Sequence, residues 1–333
     1  MQSSSENSTS PDNGERFAFF RSFIGEYIGL TLVLVLLVIV FGLMANNFFT
    51  RTTFLTIANQ IPDITIIAVG MTFVLIIAGI DLSVGSVMAL SGAVLGAVLV
   101  RLEMPLPVAI FACLGTGLLC GVFNGAVVVN WKLPSFIVTL GMLEIARGGA
   151  FMATGSRTMY LGAPVEAIAQ ASLFGLSLPF ITAFSIVVLG QFILTRTVYG
   201  RYLIAIGTNE EALRLSGVDP RPLKFSVFAL CSTLTAVAAI FHTARLSSAN
   251  PNAGSGLELQ AIAAVVIGGT SLMGGRGSVI STFFGVLIIA VLNTGLSQLG
   301  AQESTRRLVT GAVIVAAVIL DYYRNRMRRV EQA

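Results

Sequence analysis

Charged side chains are scarce in this chain. They make up 11% of its 333 residues, whereas a typical soluble domain contains about 25%. Hydrophobic residues account for 55% of the sequence, and the mean hydropathy is +0.87. Such a chain has too little polar surface to cover a soluble globule. The composition therefore predicts an all-α, polytopic membrane protein.

Lysine, histidine and cysteine are nearly absent, and each shortage excludes a kind of site. The only lysines, Lys132 and Lys224, lack the glycine-rich pattern of a phosphate-binding loop, so we expect neither ATP hydrolysis nor a bound cofactor in this chain. The single histidine, His242, favours neither a metal site nor a catalytic pair with Ser255. The three cysteines lie in apolar runs, which argues against a disulfide framework.

Long apolar segments fill most of the sequence, and a membrane-spanning helix needs about 20 such residues. We therefore expect about ten transmembrane helices. The segments cover residues 28–44, 61–79, 84–100, 107–129, 134–153, 180–197, 222–245, 257–270, 278–297 and 306–322. The eighth is short, so it is either tilted in from its flanks or a partial helix.

The distribution of positive charge predicts the orientation, because cytoplasmic loops of membrane proteins are enriched in Lys and Arg. With the N-terminus inside, 13 of the 20 basic residues are cytoplasmic: Arg16, Arg21, Lys132, Arg196, Arg201, Arg214, Arg221, Lys224, Arg276, Arg324, Arg326, Arg328 and Arg329. Both termini are thus predicted to be cytoplasmic, with a disordered tail at 1–27, a membrane domain at 28–322 and a basic tail at 323–333. We expect that tail to contact lipid headgroups and not nucleic acid.

Two polar, glycine-containing breaks interrupt the apolar segments. The first break, residues 78–86, places Asp81 at membrane depth. The second break, residues 268–278, contains five glycines, which allow close backbone approach and unusual φ. Irregular backbone at this depth is tolerated only where protein or a water-filled cavity satisfies it. The pattern is therefore typical of a transport protein.

Candidate path or gate residues surround the first break: Asp81, Ser83, Gly85 and Asn124. Asp81 either caps the following helix or contacts a transported ion or substrate, and an ion- or proton-coupled carrier that uses Asp81 remains the alternative function. Asn124 lies beside a row of close-packing glycines in the fourth segment, Gly117, Gly121 and Gly125. Glu144 and Arg147, three residues apart on the fifth segment, are expected to form a neutralising pair.

Residues 200–217 form a polar island between apolar segments. Thr208 and Glu211 have the spacing of a capping box, and Gly217 stands where a helix ends with a residue at positive φ. The helix between them has roughly two turns and is too short to be stable alone. It is therefore expected either to dock onto a partner or to lie on the lipid headgroups.

Three long stretches carry a resemblance to a known family. They are AVGMTFVLIIAGIDLSVGSVMALSGAV at 68–94, GRYLIAIGTNEEALRLSGV at 200–218, and ARLSSANPNAGSGLELQAIAAVVIGGTSLMGGRGSVISTFFG at 244–285. The chain resembles the ribose-type permeases, which are membrane subunits of bacterial ABC monosaccharide importers. The likeness extends over about residues 30–322.

The resemblance implies a set of partners and a location in the bacterial inner membrane. Two permease copies form the pathway in this family, above a cytoplasmic ATPase with two nucleotide-binding domains and below a periplasmic sugar-binding protein. ATP and Mg would be bound by the ATPase. The best substrate guess is ribose, with xylose, galactose, other aldoses and a furanose-like signal molecule left open. The sequence itself shows no concentrated cluster of Ser, Thr, Asn and Gln for a sugar.

The family's coupling helix, which docks on the ATPase, corresponds to part of the cytoplasmic loop 198–221. Its pattern of Glu-Ala-Ala, three residues, Gly is matched by Glu211, Ala212 and Gly217, with Leu213 replacing the second Ala. The Ile-x-Leu-Pro tail of other importer classes is absent. The predicted coupling residues are Thr208, Glu210, Glu211, Ala212, Leu213, Arg214 and Gly217.

Overall fold

The structure is a computed structural model that describes residues 13–173 and 175–331. It is an all-α fold, as predicted, with twelve helices in the described part of the chain. In chain order they are α1 Asn13–Met44, α2 Arg51–Ile76, α3 Val84–Gly96, α4 Leu106–Trp131, α5 Ser135–Thr154, α6 Ala163–Gln170, α7 Leu178–Arg196, α8 Val198–Leu215, α9 Arg221–Leu246, α10 Leu257–Ile267, α11 Val279–Gln298 and α12 Glu303–Glu331.

Short irregular elements complete the fold. Helix α3 continues as one π-helical turn, Ala97–Arg101. Four two-residue strands pair antiparallel, β1 with β4 and β2 with β3; they are β1 Met159–Tyr160, β2 Ser172–Leu173, β3 Leu176–Ser177 and β4 Ser248–Ala249. The β1–β4 pair fastens the loop after α5 to the end of α9.

Eight helices of the described chain are long and apolar enough to cross a bilayer: α1, α2, α3 with its π turn, α4, α5, α7, α9 and α11. Helix α10 corresponds to the eighth predicted segment and has 11 residues. Its length of about 16 Å is far below the roughly 30 Å of a hydrocarbon core. Of the two expectations for this segment, the partial helix is therefore the one observed. The tenth predicted segment lies within α12.

The predicted tails meet the edges of the described chain. Residues 1–12 of the predicted N-terminal tail lie outside the described residues, and α1 begins at Asn13 within the rest of it. The predicted basic tail coincides with the end of α12 as far as Glu331, and its last two residues lie outside the described residues.

Helix α9 is the central element, packed on α2, α3 and α4. Its contact with α4 depends on the predicted glycine row, because a methyl group on Gly117 or Gly121 would overlap the backbone of Ser232 or Phe228. The prediction that these glycines pack a helix closely is confirmed. Elsewhere, large apolar side chains on α1, α4, α5 and α7 are exposed, as lipid-facing surfaces of a membrane protein are.

Contacts near the helix ends join different loops on each of the two sides of the helix bundle. On one side, Gln298 Nε2 donates to Thr53 Oγ1 at 2.7 Å, which joins the end of α11 to the start of α2. On the other side, Gly275 N donates to the carbonyl oxygen of Ile76 at 2.8 Å, which joins the second break to the end of α2. The charge pattern predicts the same grouping, with the first side outside and the second cytoplasmic.

Candidate functional site

The predicted coupling helix is the second half of α8, which a kink at Asn209 separates from the first half. Asn209 has extended backbone (φ −161°, ψ 95°), and its Oδ1 accepts a hydrogen bond from Ala212 N at 2.9 Å. Asn209 is therefore the N-cap of the short helix.

The predicted capping box of Thr208 and Glu211 is wrong. Thr208 still belongs to the preceding helical turn, where its hydroxyl donates to the carbonyl oxygen of Ile204 at 2.8 Å. Glu211 bonds to Arg214 at 2.7 Å instead of returning to the helix start. Asn and Thr both cap helices well, so the spacing of sequence letters could not decide between neighbouring positions.

The predicted C-terminal cap at Gly217 is confirmed. Gly217 has φ +89°, its N–H donates to Arg214 O at 3.0 Å, and Val218 N donates to Leu213 O at 3.4 Å. This pair of bonds is a Schellman motif, which satisfies the free carbonyl groups at a helix end. The helix of less than two turns is thus held at both ends by specific caps.

The two leucines of this helix face different surroundings. Leu213 is 8% exposed and belongs to the core, whereas Leu215 is 80% exposed. Ala212 and the charged groups of Glu211 and Arg214 are also exposed. Glu210 forms an ion pair with Lys224 at 3.0 Å, which ties the helix to α9. One face is therefore anchored in the membrane domain, and the other presents an apolar side chain between charges.

A groove of about 720 Å³ runs beside this helix, lined by residues of α4, α8 and the start of α9. Charged side chains of both signs line it: Lys132, Arg214, Arg221 and Lys224 together with Glu210, Glu211 and Asp219. At the start of α8, the Tyr199 hydroxyl and the Ser226 hydroxyl are joined by a hydrogen bond of 2.8 Å. Burial raises the pKa of the Tyr199 phenol, while the bond to Ser226 acts in the opposite direction. The first half of α8 is thus fastened to α9.

The turn before the kink touches both helix breaks at what we call the glycine junction, formed by Gly207, Gly274, Gly275 and the segment 76–78. A methyl group on Gly207 would overlap Ile76 O and Gly275 N, and one on Gly274 would crowd the Ala78 backbone. Gly274 and Gly275 also have φ of +82° and +73°, which disfavour other residues. Backbone from three separate segments therefore meets here without intervening side chains.

The first break holds three of the four candidate path residues in one hydrogen-bonded group, the Asp81 cluster. Asp81 Oδ1 accepts from Ser83 N at 2.9 Å and from Ser83 Oγ at 2.6 Å, and Asn124 Nδ2 donates to Ser83 Oγ at 3.1 Å. All three residues are 0% exposed. Among the described residues, Asp81 Oδ2 and Asn124 Oδ1 have no hydrogen-bond partner. Unpaired oxygens of this kind are costly in a buried site, which makes the cluster a candidate for rearrangement.

Helix α5 holds the break in place through two hydroxyl groups that the sequence did not single out. Ser135 Oγ accepts from Ile80 N at 2.9 Å, and Thr139 Oγ1 accepts from Leu82 N at 3.0 Å. Both residues lie on the first turns of α5, just after a loop. Only the packing of α5 on α3 gives them this role.

Gly85, the fourth candidate, is the second residue of α3 and contacts a different segment. A methyl group on Gly85 would overlap Gly254 O and the carboxylate of Glu258. Arg147 holds the same loop by donating to Pro251 O at 2.7 Å and Ala253 O at 2.8 Å. The loop between α9 and α10 therefore packs directly against the helix that follows the Asp81 cluster.

The predicted Glu144–Arg147 pair is wrong. Arg147 donates its hydrogen bonds to loop carbonyl groups, and within the described residues Glu144 makes no ion pair. The partly buried carbonyl groups of this loop need a hydrogen-bond donor, and Arg147 supplies it. A pair with Glu144, one helical turn away, would leave those carbonyl groups without a donor.

His242 has a partner that the sequence does not reveal. Its Nδ1 lies 2.9 Å from Asp63 Oδ2, and Arg245 Nη2 lies 2.6 Å from the same oxygen. Ser255 donates to Asn252 O, so it is not paired with the histidine. In the part of the chain that the structure describes, no three His, Cys, Asp or Glu side chains are placed to hold a metal ion.

Comparison with known proteins gives consistent results. Residues 53–318 match the family described as "Branched-chain amino acid transport system / permease component". The ribose import permease protein RbsC of Escherichia coli K12 is 39% identical over 315 residues, covering 93% of this chain and 97% of that protein.

Two relatives are named for other sugars. The fructose import permease protein FrcC of Rhizobium meliloti is 36% identical and covers 88% of this chain and 84% of its own length. The D-allose transport system permease protein AlsC of Escherichia coli K12 is 35% identical, with coverages of 91% and 93%. No solved structure matches the chain. With a family match across most of its length and eight helices that can span a bilayer, the chain belongs to the transport-system permease family and is a multi-pass protein of the bacterial inner membrane.

Proposed function

We propose that this chain is the transmembrane permease subunit of an ATP-binding-cassette importer for a monosaccharide. The short capped helix after Asn209 supports the proposal most directly. A helix of less than two turns that is capped at both ends is best explained as a docking element for a partner protein. Leu215, exposed on the same short helix as Glu211 and Arg214, is the apolar anchor that would enter a groove on the ATPase. Its alternative, an interfacial helix, would need a continuous apolar face, whereas Leu213 is already buried in the core.

The proposed assembly contains two copies of this chain, a cytoplasmic ATPase with two nucleotide-binding domains, and a periplasmic sugar-binding protein. ATP and Mg belong to the ATPase, and this chain binds no cofactor of its own. The cytoplasmic placement of the coupling loop follows the positive-inside rule, which counts Lys and Arg, and Lys132, Arg214, Arg221 and Lys224 all lie beside this helix. Exposed apolar faces of α1, α4, α5 and α7 contact lipid or the second copy.

The cargo is proposed to be a sugar, with ribose as the best guess. The relatives named above are import permeases for ribose, fructose and D-allose, with the ribose permease at 39% identity and 97% coverage. The family description mentions branched-chain amino acids, so leucine is the comparison substrate that an experiment must include.

A mechanical route from the ATPase to the pathway follows from the contacts. Movement of the coupling helix displaces the kink at Asn209, and Gly207 lies two residues before that kink. At the glycine junction this displacement meets Ile76 and Gly275, at the ends of both helix breaks. We propose that the Asp81 cluster is the gate that responds, with Asp81, Ser83 and Asn124 closing it and Gly85 allowing the neighbouring loop to approach.

The proposal is tested by uptake of labelled ribose, xylose, galactose and leucine in a strain deleted for this chain and in the complemented strain. We expect ribose uptake to be lost and restored, and to be blocked by vanadate, which inhibits the ATPase cycle. Loss of leucine uptake alone would contradict the sugar assignment. Sugar uptake that resists vanadate but collapses with a protonophore would instead support the ion-coupled carrier that uses Asp81.

A further inference from the structure

The outer end of the fold contains a cavity with unusually uniform chemistry. It measures about 470 Å³ and lies between the first turns of α2 and the last turns of α11. Its lining is made of uncharged Thr, Ser, Asn and Gln side chains, apart from Arg306 at one edge. The volume falls at the lower end of the roughly 300–1,000 Å³ range of small-molecule pockets. The sequence showed no such cluster, and the fold creates it by joining two distant segments.

A second cavity continues this one towards the membrane interior. It measures about 180 Å³ and shares Gln60 and Asn293 with the outer cavity. Asp63, His242, Arg245 and Gln260 also line it, and the rest of its wall is mostly apolar. The two shared amide side chains therefore stand at the boundary between an open outer chamber and a smaller inner one.

Several of these polar groups are free to bind a ligand. Within the described chain, the side chains of Thr56, Gln60 and Ser297 make no hydrogen bond to protein. An amide offers donors and an acceptor together, which matches adjacent hydroxyl groups that do the same. Asp63 is bound by His242 and Arg245 only through Oδ2. Its second oxygen is left for a charge-assisted bond to a hydroxyl group.

The same lining is poorly suited to an amino acid. The two arginines that border the cavities are already paired, Arg245 with Asp63 and Arg306 with Glu303. Each guanidinium charge among these lining residues is thus balanced by a carboxylate, although Arg306 Nε has no hydrogen-bond partner in the described residues, and a further charge placed there would lack a counter-ion. Neutral, hydroxyl-rich molecules are the chemical class that the site favours.

We infer that these two cavities form a binding site for a monosaccharide on the outer side of the permease, where the sugar is received before the Asp81 cluster opens. The inference rests on the proposed import function and adds the residues that contact the cargo. Gln60 and Asn293 are the central ligands, because they face both chambers.

The test uses the complete importer, the permease with its ATPase and binding protein, reconstituted in liposomes. Gln60→Leu and Asn293→Leu should each lower labelled ribose uptake about tenfold, the effect of one lost hydrogen bond. Co-purification of the ATPase with each variant is measured alongside uptake to show that the complex has assembled. Gln302→Leu is the matched control, since Gln302 is exposed, predicted to lie on the same side and absent from both linings.

Wild-type uptake by both leucine variants would overturn the site while leaving the importer function standing. Failure of the wild-type complex to carry any sugar would overturn both. Cysteine labelling provides a measurement that does not depend on lost activity, because Cys113, Cys120 and Cys231 are buried. Ribose should slow the reaction of Ser297→Cys with an impermeant maleimide but not that of Ser172→Cys, an exposed serine in the hairpin after α6. Equal labelling with and without ribose at Ser297→Cys would contradict the site.

Discussion

The glycine junction makes a strong prediction about coupling between ATP hydrolysis and transport. In Gly207→Ala, the added methyl group would overlap Ile76 O and Gly275 N, which are backbone atoms that cannot rotate away. Overpacking a tight site costs about 1–3 kcal/mol. If the junction is this tight in only one of the importer's two states, the substitution destabilises that state alone. The equilibrium constant between the two states then changes about 5- to 150-fold.

The expected phenotype is uncoupling and not loss of assembly. Gly207 is two residues before the cap of the coupling helix and contributes nothing to its exposed face, so the ATPase should co-purify as with the wild type. Uptake per ATP hydrolysed in proteoliposomes should fall by that 5- to 150-fold range. Gly115→Ala is the matched control, since a methyl group there meets no atom within 4 Å. A Gly207→Ala importer with normal uptake per ATP would refute the proposed route through the junction.

Three further outcomes are expected. Leu215→Asp should abolish co-purification of the ATPase, whereas Leu173→Asp, an equally drastic change of an exposed leucine predicted to lie outside, should not; equal retention of the ATPase by both would contradict the docking face. Asn209→Ala should destabilise the coupling helix by about 1 kcal/mol and weaken ATPase binding about fivefold or more, while Thr208→Ala should have little effect. A larger effect of Thr208→Ala than of Asn209→Ala would show that Thr208 is the cap after all. Asp81→Asn should preserve most uptake, because an amide oxygen can still accept from Ser83, and complete loss of uptake would favour a proton-carrying role.

Hydropathy and charge correctly predicted the grouping of the loops and eight of the ten segments as helices able to cross a bilayer, because both signals depend on the bilayer and not on partners within the fold. They were insufficient where a helix is polar. The prediction began the second span at residue 61, whereas α2 begins at Arg51, since its first turns carry Thr, Asn and Gln. Four of those ten residues are among the eleven that line the outer cavity, so the polar side chains that concealed this part of the helix from a hydropathy prediction are ones that we propose bind the sugar.

Local signals were reliable only where one residue type alone satisfied the geometry. The cap at Gly217 needs a positive φ, which glycine provides without strain, and that prediction was correct. Thr208 and Asn209 are both good caps, and Arg147 could bond either to Glu144 or to a distant loop. In these cases tertiary contacts determine which residue forms the bond. A contact such as that of Arg147 with Pro251, which lie 104 positions apart, cannot be predicted from the spacing of residues in the sequence.

The Asp81 cluster lies between two close backbone contacts, and this arrangement limits how it can move. On its cytoplasmic side, Ala78 is held against Gly274 at the glycine junction; on the other, Gly85 is held against Gly254 in the loop that Arg147 fastens. A rigid shift of α8 alone therefore pushes on one end of the first break, whose far end is fixed by the outer loop. The break must absorb the difference, and the bonds free to change are those of Asp81, Ser83 and Asn124, where two buried oxygens have no partner in the described residues. Loosening the outer contact with Arg147→Met should then allow both ends to move together and lower uptake without lowering ATP hydrolysis. Unchanged uptake per ATP in that variant would show that the outer loop is not the fixed point.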